Sequence, residues 1–167
     1  MRGGSALQRR SAWLLLGVAV MSVAAVAMAL FGQHVQGMQP CPWCILQRLI
    51  YLTMASVALL TLALRARWAA AQTGGGVLIG LLAVCGVAAA LYQNLVAAHL
   101  PSCDMTLADR IVSGLGVDAL APELFEVRAS CAEAAVKLLG VPYELWSCAL
   151  FVAIAAVAVR LTQVGRR

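Results

Sequence analysis

The sequence predicts an all-α membrane protein, a four-transmembrane-helix bundle with two loops on its outer face, the second containing short amphipathic helices. Three observations carry this. Of the 167 residues, 63% are hydrophobic and 11% are charged, against roughly a quarter charged in an ordinary soluble domain, so the chain has too little polar surface to cover itself in water. Four apolar runs approach or reach the ~20 residues needed to cross the hydrocarbon core of a bilayer. The basic residues are sorted by loop. These features predict a single integral membrane domain over 1–167, with spans at roughly 13–31, 45–64, 77–98 and 143–159.

The first run, Trp13–Phe31, follows Arg2, Arg9 and Arg10 and contains Ala27-Met28-Ala29 near its end, both features of a cleaved secretory signal. At about 19 apolar residues it exceeds the 7–15 of a signal core, so it is expected to remain as a span. Arg65 and Arg67 follow the second run, and Arg160, Arg166 and Arg167 follow or end the fourth. By the positive-inside rule these segments are cytoplasmic. Both termini then lie inside, and segments 32–44 and 99–142 lie on the opposite, outer face. The acids agree: Asp104, Asp109, Asp118, Glu123, Glu126 and Glu133 sit in the long outer loop and Glu144 at its far edge. This segregation makes the formal charge of +5 a signature of topology and excludes a nucleic-acid partner in favour of membrane lipid.

Between the second and third runs, Gly74-Gly75-Gly76 is a breaker cluster that predicts a tight return. The outer loop 99–142 is long for a structureless connection. Within it Ile111, Leu115 and Leu120 alternate with Asp109, Arg110 and Asp118, and Leu124, Phe125, Val127, Val136, Leu138 and Leu139 sit among Glu123, Glu126, Arg128, Glu133 and Lys137. That mixture predicts short amphipathic helices lying in the membrane interface, punctuated by Pro101, Gly114, Gly116, Pro122, Gly140 and Pro142. Trp13, Trp43, Trp68 and Trp146 fall near span ends, as an aromatic belt would.

Six cysteines sort by depth. Cys85 and Cys148 fall inside the third and fourth runs and are expected to be small buried hydrophobes. Cys41, Cys44, Cys103 and Cys131 fall on the outer face, where disulfides persist, and four thiols there read as two disulfides whose connectivity spacing leaves open. Cys41-Pro42-Trp43-Cys44 has the two-residue gap of redox dithiols. Because it opens the second helix, Cys44 is placed where free N–H groups and the macrodipole favour a thiolate. Arg48 follows four residues later on the same helix face. A charge just inside a span is a functional candidate by default; the plainer alternative is a side chain that snorkels to the surface. Four thiolates could instead hold tetrahedral zinc in a non-enzymatic cap, but Cys103 and Cys131 lack the compact spacing of such sites, and no metal is expected. A thioredoxin-like domain is excluded because the motif has no strand-helix-strand context. His34 and His99, at the outer membrane edge, are candidates for proton carriers or hydrogen-bond donors, or are simply interfacial.

The run Phe31-Gly32-Gln33-His34-Val35 and then Pro40-Cys41-Pro42-Trp43-Cys44-Ile45-Leu46-Gln47-Arg48 is similar to the active segment of the DsbB family. Ser102-Cys103-Asp104, Cys131-Ala132-Glu133, Leu139-Gly140 and a final span with Trp146 resemble that family's second redox loop. The resemblance covers about residues 12–160. It implies a quinone-dependent thiol oxidase that reoxidises a DsbA-like periplasmic dithiol protein and passes the electrons to ubiquinone or menaquinone. By position it implies that Cys41 and Cys44 form the quinone-linked pair, that Cys44 and Arg48 contact the quinone, and that Cys103 and Cys131 form the pair meeting the partner. Gln47 stands where a glutamate occurs in the family, and Asn94 roughly where a histidine occurs in the third span; neither departure touches a thiol. Vitamin K epoxide reductase-like proteins also carry Cys-x2-Cys and loop cysteines on four helices, but their motif lies late in the chain, whereas here it opens the second span.

Overall fold

A computed structural model of the protein describes residues 3–99 and 106–165; Cys103 lies outside the described residues. The chain runs through α1 (Gly3–Val35), α2 (Pro42–Leu64), α3 (Ala69–Leu95), a 3-10 turn at Ala97–His99, then α4 (Leu107–Leu115), α5 (Val117–Leu120), α6 (Pro122–Phe125), the strands β1 (Lys137–Leu138) and β2 (Val141–Pro142), and α7 (Tyr143–Gly165). Four helices are long and apolar enough to cross a membrane, over Gln8–Val35, Pro42–Leu64, Ala70–His99 and Tyr143–Gly165. Each extends past its apolar run. In lipid the backbone has no other source of hydrogen bonds, so a helix is kept intact out to the polar interface.

α2 packs against both α1 and α3, α3 lies along α7, and α1 closes the bundle on α7. Half of the apolar window of α2 is buried, against 22–33% for the other three, which makes α2 the element around which the rest is arranged. The outward faces of the other helices are apolar: Val20 and Val23 on α1, Leu81 and Val84 on α3, Val152 and Val159 on α7. These are the sides that meet lipid. Since lipid tails are as apolar as leucine, helix association depends on close packing, and the interior supplies it with Ala58, Ala83, Ala90 and Ala158. At Gly86 an added Cβ would overlap the Phe151 ring, which itself stacks on Tyr51 with centroids 4.2 Å apart.

Four local expectations are corrected. Gly74-Gly75-Gly76 does not turn the chain but lies within α3; a Cβ on Gly75 would overlap Thr61, and one on Gly76 would sit 3.0 Å from Thr162 Cγ2. These glycines bring α3 close to α2 and α7, a packing role that breaker statistics from soluble chains do not capture. The actual turn is at Arg65–Arg67. Val136, Leu138 and Leu139 do not join an amphipathic helix: β1 and β2 form an antiparallel hairpin pairing Lys137 with Pro142 and Leu138 with Val141. Its two-residue loop places Leu139 at φ 55° and Gly140 at φ 82°, the positive pair that matches the twist of tight hairpins. Trp43 is buried rather than interfacial, with its ring 4.6 Å from that of Tyr92. Cys85 is exposed on the outside of the bundle, and Cys148 is half-buried. The upstream part of the outer loop does form the expected short helices. α4 opens with a capping box between Thr106 and Asp109 and ends on Gly116 in the left-handed region at φ 63°.

Candidate functional site

The start of α2 is built from the motif itself. Pro42 occupies the first helical turn, where its missing N–H would have had no intrahelical partner. Cys41 is the N-cap, with φ −89° and ψ 168°, and its Sγ accepts the Cys44 backbone N–H at 3.3 Å, the work usually done by Ser, Thr or Asp. The geometry brings the Cys41 and Cys44 sulfurs to 2.9 Å. Cys41 is fully buried.

Cys131 reaches the same point from the outer loop. Its thiol neighbours that of Cys41, and this proximity pushes Cys41 up and lowers Cys131. Cys41 therefore holds its proton between two sulfurs, while Cys131 is favoured as the thiolate. Contacts of two ranges place Cys131. Locally, Ser130 N and Oγ both donate to Glu133 Oε2, at 2.9 and 2.7 Å, and Glu133 N donates back to Ser130 Oγ at 3.3 Å, a reciprocal capping box around the cysteine. At long range, the backbone N–H groups of Arg128 and Ala129 donate to Pro40 O at 3.0 and 3.3 Å, tying the outer loop to the residue before the motif. The structure thus brings together three of the four candidate cysteines in the order Cys131, Cys41, Cys44.

Arg48 is 5% exposed, so it does not snorkel. Its Nη1 donates to Gln33 Oε1 at 2.8 Å and to Leu124 O at 3.1 Å, which joins α1 and α6 to α2. Its Nε is buried with no hydrogen-bond partner, and among the described residues no carboxylate lies within ion-pair distance of it. An uncompensated donor of this kind is expensive in an apolar interior, and points to a group the site is shaped to receive.

Beside Arg48 and Cys44 opens a cavity of about 430 Å³ between α1, α2, α3 and α7, with Met21, Met28, Met38 and Leu150 on its apolar walls. Polar groups converge at one end: Cys44, Gln47, Arg48, Tyr51, Gln93, Tyr143 and Glu144. Sequence reading missed several of these. Gln93, Tyr51 and Tyr143 carry no signal of their own within the apolar runs, and Glu144, expected at the loop edge, is 4% exposed and accepts a hydrogen bond from Asn94 Nδ2 at 2.9 Å. Their common signal is depth: Gln33, Gln47, Gln93 and Asn94 all stand at the Cys41 end of otherwise apolar spans, where a polar side chain needs a partner or a use. His34 and His99 are not among the cavity residues; His34 Nε2 lies 3.6 Å from Glu123 Oε2 on the exposed surface.

Chemically, three neighbouring sulfurs followed by an apolar chamber with a cation in its lining can relay an electron pair by thiol exchange and hand it to a group in the chamber. The family model for disulfide bond formation protein DsbB matches residues 9–161. Disulfide bond formation protein B of Neisseria meningitidis serogroup A is 38% identical over 153 residues, covering 89% of this chain and 91% of the relative. Those of Ralstonia nicotianae and Dechloromonas aromatica are each 34% identical, covering 84% and 90% of this chain and 87% and 90% of the relatives. With four membrane-capable helices and a family match over nearly its whole length, the chain belongs to the DsbB family of disulfide bond formation proteins, membrane-embedded disulfide oxidoreductases.

Proposed function

We propose that this protein reoxidises the dithiol of a DsbA-like periplasmic partner and sends the electron pair to ubiquinone or menaquinone in the cavity beside Cys44. The observation that carries the reading is the row Cys131–Cys41–Cys44, which ends at a chamber containing Cys44 and the buried Arg48. The chamber suits a quinone: an apolar pocket for a flat head group, open at 430 Å³, and an unpartnered guanidinium N–H for a carbonyl oxygen. Cys44 and Arg48 would hold it, and there it supplies a sink for two electrons and two protons.

The protein's own thiols do the rest. A partner thiolate attacks Cys103 of a Cys103–Cys131 disulfide, joining the partner to Cys103 and releasing Cys131 as thiolate. Cys131, released as a thiolate by the first exchange, attacks Cys41 of the Cys41–Cys44 disulfide, and the electron pair of the broken bond goes to Cys44. The partner's second thiolate displaces Cys103, which in turn displaces Cys41 from Cys131. Cys41 and Cys44 are left as the reduced pair, and loss of two electrons through Cys44 closes their disulfide again. A DsbA-like oxidant stands near −120 mV, out of reach of an ordinary structural disulfide below about −300 mV, so the pull must come from the quinone end. The whole chain acts as one membrane domain, with both termini cytoplasmic and Cys103 and Cys131 in the periplasm of a bacterial inner membrane, as the loop charges require.

Quinone absorbance, followed on the detergent-purified protein during addition of a reduced DsbA-like protein, tests this. Turnover in the wild type that is lost in Cys44→Ser supports the reading. No turnover in the wild type, with one zinc bound per chain, would replace it with a structural cap.

A further inference from the structure

At the polar end of the cavity two carboxamides from different helices meet, and neither the thiol relay nor the guanidinium uses them. Gln93 of α3 is 3% exposed and Gln47 of α2 is 5% exposed. Gln93 Nε2 donates to Cys44 Sγ at 3.3 Å, and Gln93 Oε1 accepts from Gln47 Nε2 at 2.7 Å. Among the described residues this amide is the one N–H donor that reaches Cys44 Sγ. The Nη1 donors of Arg48 are turned to Gln33 and Leu124, and the Cys44 N–H is directed at Cys41.

A carboxamide has two unlike ends. With its nitrogen toward the sulfur it stabilises negative charge there; rotated by half a turn it presents a carbonyl oxygen and opposes that charge. The neighbour of Gln93 decides between them. Because Gln47 offers a donor to Gln93, the Gln93 oxygen is engaged on that side and its N–H groups are left for the sulfur.

We propose that Gln93 is a catalytic residue that hydrogen-bonds the Cys44 sulfur as it becomes a thiolate, and that Gln47 is a positioning residue that fixes the polarity of the Gln93 amide. In the exchange, the Cys131 thiolate forms a bond to Cys41, the Cys41–Cys44 bond breaks, and the electron pair comes to rest on Cys44 Sγ. No proton moves, because the Gln93 N–H keeps its own. That placement in the cycle rests on the function proposed above, but the contact and its effect on the reduced thiol do not.

The full chain, reduced in detergent without quinone or partner, is alkylated with iodoacetamide at pH 7, and the rate at each cysteine is read by peptide mass spectrometry. Gln93→Met removes the amide at similar volume, and Gln47→Met removes, without adding charge, the donor that holds the Gln93 oxygen and so frees the Gln93 amide to turn from sulfur. Each single variant is expected to slow alkylation of Cys44 about tenfold, the order expected for one hydrogen bond to a charged group, while Cys131 stays within about twofold of wild type and the thermal melt is retained. In the Gln93→Met background, Gln47→Met is expected to have no further effect, since its route to the sulfur is gone. A wild-type rate at Cys44 in both singles overturns the proposal. An additive loss in the double variant overturns the positioning role of Gln47, since a merely structural effect would add. Absence of quinone turnover would sink the proposed function without altering these rates, and unchanged rates would sink this inference without affecting turnover.

Discussion

The two cysteine regions of this protein are stabilised by different means. Cys41 and Cys44 belong to the first turn of α2, the helix with the most buried apolar window; one caps the helix and both stand where the bundle packs around them. Cys131 is almost as buried, at 7% exposure, yet it sits in a turn between α6 and the hairpin, held by a four-residue box and two bonds to one carbonyl. Burial alone would rank these cysteines together. The source of their hold separates them: opening the first region means disturbing the bundle, whereas opening the second means breaking a few local bonds, the kind of segment that unfolds at low free energy. The proposed function asks Cys131 to exchange with two disulfides in turn, and the second kind of support suits that role.

The largest expected effect comes from the residue that spans both regions. Arg48 lines the cavity and also fixes Leu124 of the loop helix α6. Arg48→Met removes charge-assisted bonds of about 2 kcal/mol each, so the KM for quinone should rise roughly thirtyfold and amide exchange around residues 122–126 should quicken. Lysine should not rescue, because it lacks the planar fork that reaches several acceptors at once. A rise in KM with unchanged exchange in α6 would mean that the regions are supported independently, which sharpens the contrast.

A smaller effect tests the bond between the regions. In a Cys44→Ser, Cys103→Ser background only Cys41 and Cys131 remain at the site, and diamide should join them readily. Arg128→Pro deletes the N–H that binds Pro40 O, worth about 1 kcal/mol, while the Ala129 N–H remains. The yield of the Cys41–Cys131 disulfide should fall about fivefold on a non-reducing gel. Arg128→Ala keeps the N–H and loses only exposed ion pairs to Glu123 and Glu126, which contribute little, and should match wild type. Equal yields in both variants would show that Cys131 finds Cys41 without the Pro40 junction.

The same division explains what the sequence disclosed. The four spans were legible because lipid imposes a length and an apolar composition that few other structures share, and the meeting of Cys41 and Cys44 at a helix start because spacing and position coincide in one motif. The approach of Cys131 to Cys41 was not legible from residues, since it depends on backbone groups of Pro40, Arg128 and Ala129 that carry no side-chain signature. Gln93 and Glu144 escaped because a polar residue near a span end is ordinarily interfacial; only the packing of α3 and α7 turns them inward. The glycine triplet misled for the opposite reason: its chemistry was read as flexibility, while against Thr61 and Thr162 it serves as clearance.

The smallest effect is a pH response confined to the second region. The Glu133 carboxyl is held below its ordinary value by the Ser130 hydroxyl first and the Ser130 backbone N–H second. A carboxyl whose folded value is depressed contributes stability that is complete above its unfolded value and is lost as pH falls through the folded one. The box around Cys131 should therefore be intact at neutral pH and loosen in acid, below the usual carboxylate range, while the first turn of α2 has no equivalent carboxylate to lose. Hydrogen exchange checks this: relative to unstructured peptide, protection of the amides at 130–134 should drop across that acid window and the Cys44 amide should stay protected. Glu133→Gln should flatten the dependence, because a neutral amide keeps one acceptor for Ser130 but has no proton to gain. If protection falls equally at Cys44, the first region shares the loop's local support, and the contrast between the two sites fails at its weakest point.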